Sequence, residues 1–298
     1  MTKRALLILN PAARRAPPAD RLRAAIDAVD GWQGSLRLTE GPRHATELAR
    51  EAAVGGFDAV VACGGDGTVN EVANGLAGSE AALAVVRGGT ANVWAKELRL
   101  PRKPEEAVRL VADGETRTVD LGRAGDRYFL LMAGVGFDAE IVQAAGRSKR
   151  RLGAAAYLLH GLRIGLRYRA TKAELTANGE PLANQLYWLL FANTRSYAGL
   201  LNITDRARLD DGRLDLCLLT KGGLLRLGWL LPWVLLRRHH SRAGVIYRQL
   251  ESLDVRTPGL PVQVDGEYLG ETPLRFGVAP AALRIVVPRG LRSELFRR

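Results

Sequence analysis

The chain has 298 residues, of which 47% are hydrophobic and 25% charged. That balance excludes collagen-like, disordered and disulfide-scaffold classes, and at about 150 residues per domain the length suits two domains or one large α/β unit. Lys and Arg number 43 against 31 Asp and Glu, a formal charge of +12, which favours anionic membrane faces and phosphorylated small molecules. Only six of those bases are lysine and only 6% of residues are aromatic. With no recognisable reading module, the composition speaks against nucleic acid. Cys63 and Cys217 lie inside apolar runs and read as free core thiols in a reducing cytosol. Met1 to Asn10 is a short polar start followed by a strand-like run, which does not read as a secretory leader.

The first 120 residues alternate between strand and helix patterns. Ala5 to Leu9 is an apolar strand stopped by Asn10-Pro11. Leu22, Ala25, Ile26 and Val29 recur at helical spacing, and Ser35 to Thr39 returns as a strand. Ala45 to Ala53 reads as helix, Ala59 to Ala62 as strand, Asn70 to Leu76 as helix, Ala82 to Val86 as strand and Ala91 to Leu98 as helix. Short loops between such elements predict a doubly wound parallel sheet covered on both faces. Thr116 to Leu121 reads as a crossing strand, which sets a first domain at residues 1–121.

From Gly122 the pattern changes to strand after strand. Tyr128 to Met132, Lys172 to Ala177, Leu186 to Ala192, Leu214 to Leu219, Leu253 to Thr257, Pro261 to Val264 and Leu283 to Val287 all fit. Asn178-Gly179, Asp211-Gly212 and Asp265-Gly266 are hairpin-turn signals. Residues 122–287 therefore read as a mostly antiparallel β domain with helical inserts. One insert is the basic cluster Arg147 to Arg151 leading into the apolar stretch Leu152 to Leu166. The other, Leu224 to Leu236, holds Trp229, Trp233 and seven leucines, with Arg237, Arg238, His239 and His240 behind it. It is shorter than the roughly 20 residues needed to span a bilayer. Burial against the β domain and insertion of one apolar face into a membrane surface are its two readings.

The strongest chemical signal is Gly64-Gly65-Asp66-Gly67-Thr68-Val69-Asn70-Glu71-Val72, where a buried strand runs through glycines into a helix. Such a turn lets the backbone approach a ligand and offers helix N-terminal N–H groups to phosphate. Asp66 among these glycines argues for a cation between it and the phosphates. Asp265 and Glu267 flank Gly266 on a strand-turn, so both carboxylates can reach one cleft. No Gly-x-x-x-x-Gly-Lys-Ser/Thr loop and no His-Arg-Asp loop occurs. Gly134-x-Gly136-x-x-Ala139 fits a loose dinucleotide fingerprint, but no acidic strand end follows it. The four histidines, His44, His160, His239 and His240, have no zinc-ligand spacing with cysteine and read as helix-surface residues.

The run Gly64 to Val72 resembles the signature of the diacylglycerol kinase catalytic domain superfamily, which includes bacterial lipid kinases and sphingosine kinases and is distantly similar to NAD kinase. Asn10-Pro11, Thr39 with His44-Ala45, Gly89-Thr90-Ala91-Asn92, Gly134 to Ala139, Asp211 to Asp215 and Val264 to Glu267 match further motifs in family order. The resemblance implies an N-terminal α/β nucleotide domain and a C-terminal β-sandwich, with the tail at 288–298 returning to the first domain. It implies Mg2+-dependent transfer of the γ-phosphoryl group of ATP to a lipid hydroxyl, diacylglycerol-like above all. Asn10, Thr39, Gly64, Gly65, Asp66, Gly67, Thr68, Asn70, Glu71, Gly89, Thr90 and Asn92 would hold the nucleotide. Asp66 and Asp120 would serve one magnesium network. Asp211, with the main chain near Arg208 and Arg213, would hold a second, structural ion. Glu267 would be the base, with Asp265 as orienter or alternate.

Two positions depart from the family pattern. Val93 stands where many of these kinases carry an Asp of the metal network, and Arg14-Arg15 replaces small residues in the opening loop. The chain is accordingly expected to work in the cytoplasm, peripheral to the inner membrane face, without a transmembrane segment; a homodimer is allowed. The competing readings are a superfamily kinase of a soluble substrate, as NAD kinase is, and a nucleotide-binding regulatory protein with impaired catalysis.

Overall fold

A computed structural model describes residues 2–146 and 154–297. The basic cluster Arg147 to Arg151 and the first residues of the apolar stretch after it lie outside the described residues. The chain divides into two compact units: Met1–Leu121 with Leu209–Asp211 and Pro280–Arg298, and Gly122–Arg208 with Gly212–Ala279.

Unit 1 is built from β1 (Lys3–Leu9), α1 (Ala19–Asp27), β2 (Trp32–Leu38), α2 (His44–Val54), β3 (Ala59–Gly64), α3 (Asp66–Leu76), β4 (Ala82–Arg87), α4 (Val93–Glu97), α5 (Pro104–Asp113) and most of β5 (Glu115–Ala124). Unit 2 takes the end of β5, then β6 (Arg127–Phe129), β7 (Met132–Gly136), α6 (Phe137–Ala145), α7 (Ala154–Arg167), β8 (Thr171–Ala177) and β9 (Glu180–Leu186). It continues through β10 (Trp188–Ala192), β11 (Ser196–Tyr197), β12 (Leu201–Asn202), β13 (Leu214–Leu219), α8 (Leu224–Leu235) and a 3-10 turn at His239–Ser241. β14 (Val245–Leu250), β15 (Ser252–Val255), β16 (Pro261–Val264), β17 (Glu267–Glu271) and the start of β18 (Leu274–Val287) complete it, and the end of β18 belongs to unit 1.

In unit 1 the strands run parallel in the order β2-β1-β3-β4, and Arg284 and Ile285 of β18 extend the sheet beside Ala82 and Leu83. Residues 5–9 and all of β3 are buried, as expected of strands covered on both faces. Leu7, Leu9, Val61 and Cys63 meet Leu22 and Ile26 of α1 and Ala107 and Val108 of α5. Leu6, Ile8, Val60 and Ala62 point the other way along the strands and are equally buried. The order places a topological switch between β1 and β3, because the chain leaves β1 toward one side and later resumes on the other. Ligands of open α/β sheets bind beyond the strand C-termini at such a point.

Unit 2 has an antiparallel sheet in the order β14-β13-β10-β7-β16-β17 and a second antiparallel run β18-β15-β8-β9. Alternate residues Leu214, Leu216 and Leu218 of β13, Leu189 and Phe191 of β10, and Val262 and Val264 of β16 share one core with Leu175, Leu253, Val255 and Phe276. This is the packing of a β-sandwich.

Several sequence expectations need correction. Leu186 to Ala192 is two strands, since β9 and β10 belong to different sheets and the chain crosses at Tyr187. Tyr128 to Met132 splits in the same way between β6 and β7. Both runs are apolar throughout because the crossing itself is buried, so hydrophobicity alone hid the break. Asp211-Gly212 makes no hairpin: it precedes β13, whose partners are β10 and β14. The edge strands β14 and β17 are half-exposed and lack the apolar run that marks a central strand. Helix α3 begins at Asp66 instead of Asn70, so the glycine signature lies partly inside the helix.

The turn at Asp265-Gly266 joins β16 to β17 with φ of 49° and 81°, the left-handed pair of a two-residue hairpin. Both Asp265 oxygens are engaged by backbone: Oδ1 accepts the N–H groups of Leu131 and Met132, and Oδ2 that of Leu130, all at 2.9 Å. The carboxylate fixes the lead-in to β7. Asp265→Asn keeps one acceptor and turns an amide toward donors. It is expected to lower stability by about 2–3 kcal/mol, read as a reduced denaturation midpoint at unchanged m-value.

Asp138 opens α6 fully buried, its Oδ2 accepting from Gln263 Nε2 at 2.9 Å. Burial is the main cause that pushes its pKa up to about 7. An unfolded Asp titrates near 3.9, so between about pH 4 and 7 the native state holds a proton that the unfolded chain has released. Stability therefore falls as pH rises through this window, by a few kcal/mol on the linkage relation. Asp138→Asn is expected to flatten the pH profile of chemical denaturation over that range, and an unchanged slope would remove Asp138 as its cause.

Candidate functional site

The C-terminal ends of β1 and β3 meet where the topology places the switch. Asn10, the residue after β1, donates from Nδ2 to Thr68 Oγ1 at 3.0 Å, and its own Oδ1 accepts the Ala12 N–H at 2.9 Å. Thr68 is buried in the first turn of α3, so this bond ties the opening loop to the helix N-terminus. Thr39 sits one strand over, its N–H bonded to Leu9 O at 2.9 Å. Arg15 donates its N–H to Gly88 O at 2.9 Å, and the side chains of Arg14 and Arg15 are exposed on the loop.

Two glycine pairs close the other side. Gly88 donates to Gly64 O at 2.7 Å. A Cβ on Gly88 would lie 3.0 Å from Gly64 Cα, and one on Gly89 would lie 2.6 Å from Gly65 Cα. No side chain fits between these backbones, which brings the Gly89-Thr90-Ala91-Asn92 loop onto the α3 N-terminus. Asn92 holds the loop from inside: Oδ1 accepts the Gly89 N–H at 2.9 Å and Nδ2 donates to Gly89 O at 2.8 Å. Thr90 remains exposed at the tip.

Asp66 joins α3 to α4. Its Oδ1 accepts the Trp94 N–H at 3.2 Å, and the N–H groups of Val93 and Asn92 also face the carboxylate. Burial raises its pKa, opposed by those N–H groups and by Lys96. A carboxylate both desolvated and only partly compensated gains from a cation, and an oxygen donor suits Mg2+. The Val93 side chain is buried; its backbone, not its side chain, is what Asp66 meets.

Other expected residues hold structure. Glu71 reaches from α3 to the start of α2, where Oε2 accepts the Ala45 N–H at 3.3 Å and the carbonyl accepts Thr46 Oγ1 at 2.9 Å. His44 accepts the Glu40 N–H on Nδ1 at 3.0 Å. Buried Asn70 accepts from Asn74 Nδ2 on its main-chain and side-chain oxygens. Asp120 is buried on β5, where Oδ1 accepts the Ala281 N–H at 2.7 Å and its own N–H donates to Leu209 O at 2.6 Å. The loop of Arg208, Asp211 and Arg213 is thereby tied to β5, and Arg297 Nη2 donates to Asp211 O at 2.8 Å.

In unit 2 the two acidic residues of the hairpin part company. Asp265 is committed to backbone, as above. Glu267 is 43% exposed in its side chain, and its Oε2 accepts from Arg127 Nη2 at 2.6 Å. Arg127 was invisible to sequence reasoning, because 140 residues separate it from its partner and no motif surrounds it.

Residues 4–124 match the family model described as diacylglycerol kinase catalytic domain, and residues 132–287 match the YegS C-terminal NAD kinase beta sandwich-like domain. A diacylglycerol kinase of Bacillus subtilis is 30% identical over 98% of this chain and 99% of its own. One from Mycobacterium tuberculosis is 33% identical over 85% of each chain. The crystal structure of a diacylglycerol kinase from Bacillus anthracis superposes with a TM-score of 0.77 at 23% identity, covering 96% of this chain and 97% of that one, and shares the fold. The chain belongs to the diacylglycerol kinase family and is a phosphotransferase with an alcohol as acceptor.

Proposed function

We propose that the protein transfers the γ-phosphoryl group of ATP to the hydroxyl of a diacylglycerol-like lipid, with Mg2+, at the cytoplasmic face of the membrane. The observation that carries this reading is the α3 N-terminus at the switch between β1 and β3, locked by the Asn10–Thr68 bond and capped by the Gly89 to Asn92 loop. Free N–H groups at a helix start suit phosphate. Gly64, Gly65, Gly67, Thr68 and Thr90 line that place, with Asn10 and Thr39 from neighbouring strand ends. Asn70, Glu71 and Asn92 keep it in shape. The guanidiniums of Arg14 and Arg15 add bidentate phosphate donors.

Asp66 and Asp120 would hold Mg2+, which when bound neutralises phosphate charge as the transferred group moves. Asp211, with the carbonyls of Arg208 and Arg213, would take a structural ion on its loop. Glu267 accepts the acceptor hydroxyl's proton while the new O–P bond forms and ADP leaves. Arg127 holds that carboxylate in place, and Asp265 positions the strand that leads to it. The buried Val93 gives one specific ground for the rival reading, a nucleotide-binding protein with impaired catalysis.

Lipid access draws on α8. Leu230 is its one buried residue, whereas Leu225 is 93% and Trp229 50% exposed, with Leu231, Leu235 and Leu236 alongside. Exposed Leu162 and Leu166 of α7, with Arg163, Arg167 and Arg169 nearby, add apolar and basic surface. No helix among the described residues is long and apolar enough to cross a membrane. The apolar face suits a peripheral enzyme whose acceptor stays at headgroup level, and it counts against a soluble substrate.

Two measurements test the reading. Asp66→Asn retains an acceptor for Trp94 and removes the charge. With Glu267→Gln it is expected to cut phosphate transfer from labelled ATP to diacylglycerol in mixed micelles by roughly 100-fold or more, with unchanged melting temperature. Near-normal turnover in either variant removes that residue from the chemistry, and an inactive wild type favours the impaired reading. In vesicle co-sedimentation, the wild type is expected to bind anionic vesicles at low salt and to weaken at 1 M salt, where screening shortens to about 3 Å. Leu225→Ala/Trp229→Ala should lose the part that survives salt. A wild type that ignores anionic vesicles at low salt overturns the membrane role of α8.

A further inference from the structure

Three side chains outside the site above converge just beyond α8. The ligand atoms of Asp205, His239 and His240 lie within 4.8 Å of one another. His239 is 2% exposed, contrary to the helix-surface place expected from the sequence. Its Nε2 lies 2.8 Å from Ile203 O. A carbonyl can only accept, so Nε2 is the donor of this contact and Nδ1 is the ring atom left for a further partner. That buried Nδ1 meets no donor among the described residues. His240 Nε2 and Asp205 Oδ1 meet in an imidazole–carboxylate contact at 2.7 Å, without the alignment of a full hydrogen bond. A buried, unpartnered His239 Nδ1 beside this close contact is costly in a native fold, and a cation shared by the three side chains would satisfy it.

We propose that Asp205, His239 and His240 bind one Zn2+-class transition-metal ion, with water in the fourth position. Two imidazoles and one carboxylate suit zinc and disfavour magnesium. The Nε2–H of His239 on a backbone carbonyl is the outer bond that fixes a metal-binding imidazole's tautomer. Tetrahedral ligands at about 2.1 Å from zinc stand about 3.4 Å apart, so His240 and Asp205 need to part only slightly.

The surrounding charges are mixed. Arg206, whose guanidinium lies 5.6 Å from the Tyr247 ring, opposes a cation. Tyr247 meets the His240 ring edge to face with centroids 4.2 Å apart and donates to Asp215 at 2.6 Å, which keeps its hydroxyl protonated and out of the metal shell. The ion would tie the segment carrying Ile203 and Asp205 to the turn at the exit of α8. Its role is that of a clamp on the helix, and it does not depend on the phosphotransfer reading.

Untagged full-length protein, freed of metal by chelation, tests the site in calorimetric titration with ZnCl2 alone. One equivalent is expected to bind and to raise the melting temperature, with MgCl2 failing to compete. His240→Ala and Asp205→Ala are expected to lose that equivalent, while Asp66→Asn keeps it. Co2+ in the wild type should give the intense visible bands of a tetrahedral site, a readout that needs no variant to fold. Absence of saturable Zn2+ binding, binding undiminished in both variants, or a weak octahedral Co2+ spectrum overturns the proposal.

Discussion

The unit 1 site depends on one close approach, that of the Gly64-Gly65 backbone to Gly88-Gly89. A single Cβ at Gly89 would lie 2.6 Å from Gly65 Cα, a distance side-chain atoms do not tolerate, so the loop could not seat on the α3 N-terminus. With it seated, Asn92 can staple Gly89, Arg15 can reach Gly88 O, and Asn10 can reach Thr68. Asn10 ties the end of β1 to the helix start, and Arg15 ties the same loop to the one after β4. The parallel strand order supplies the place, and the glycines supply the clearance.

Much of this was legible in the sequence because it is written locally. Continuous apolar runs such as residues 5–9 and β3 mark strands buried on both faces, and Asn178-Gly179 and Asp265-Gly266 take the left-handed turn geometry their residue types permit. What escaped was set by tertiary context. The sheet crossings at Tyr187 and between β6 and β7 lie within unbroken apolar runs. β14 and β17 carry edge-strand polarity. Among the candidate site residues, motif positions named the right loops but not the division of labour within them. Glu71, Asn92 and Asp265 bond backbone groups whose position only the fold provides. His239 and His240 lie more than 30 residues from Asp205, and no spacing rule joins them.

The apolar character of α8 is a choice the fold did not have to make. A helix packed on a core through Leu230 and the flanking Leu227 needs an apolar stripe on one side only. The opposite side here carries Leu225, Trp229, Leu235 and Leu236 in water, a contiguous patch of the kind that marks an interaction surface. Half-buried Trp233 is covered on one side by the Arg242 guanidinium at 3.9 Å, whereas its neighbour Trp229 is 50% exposed. Pro232 within the helix limits how far the apolar run can extend as regular helix, which suits docking on a surface better than spanning it.

A carboxylate in this protein rarely has a single task, and that decides how its candidate catalytic groups should be ranked. Asp265 spends both oxygens on three backbone N–H groups, so moving a proton through it would loosen the lead-in to β7 at the moment of reaction. Glu267, one residue beyond the turn, has one oxygen on a guanidinium and a side chain 43% open to its surroundings. A base must change protonation without changing the scaffold, because positioning within a fraction of an ångström is what proximity contributes to rate. On that criterion the proposed base of this hairpin is Glu267, held by Arg127, while Asp265 fixes the turn. Asp66 is held in turn by the α4 backbone, with Oδ1 on the Trp94 N–H and the N–H groups of Val93 and Asn92 also facing the carboxylate.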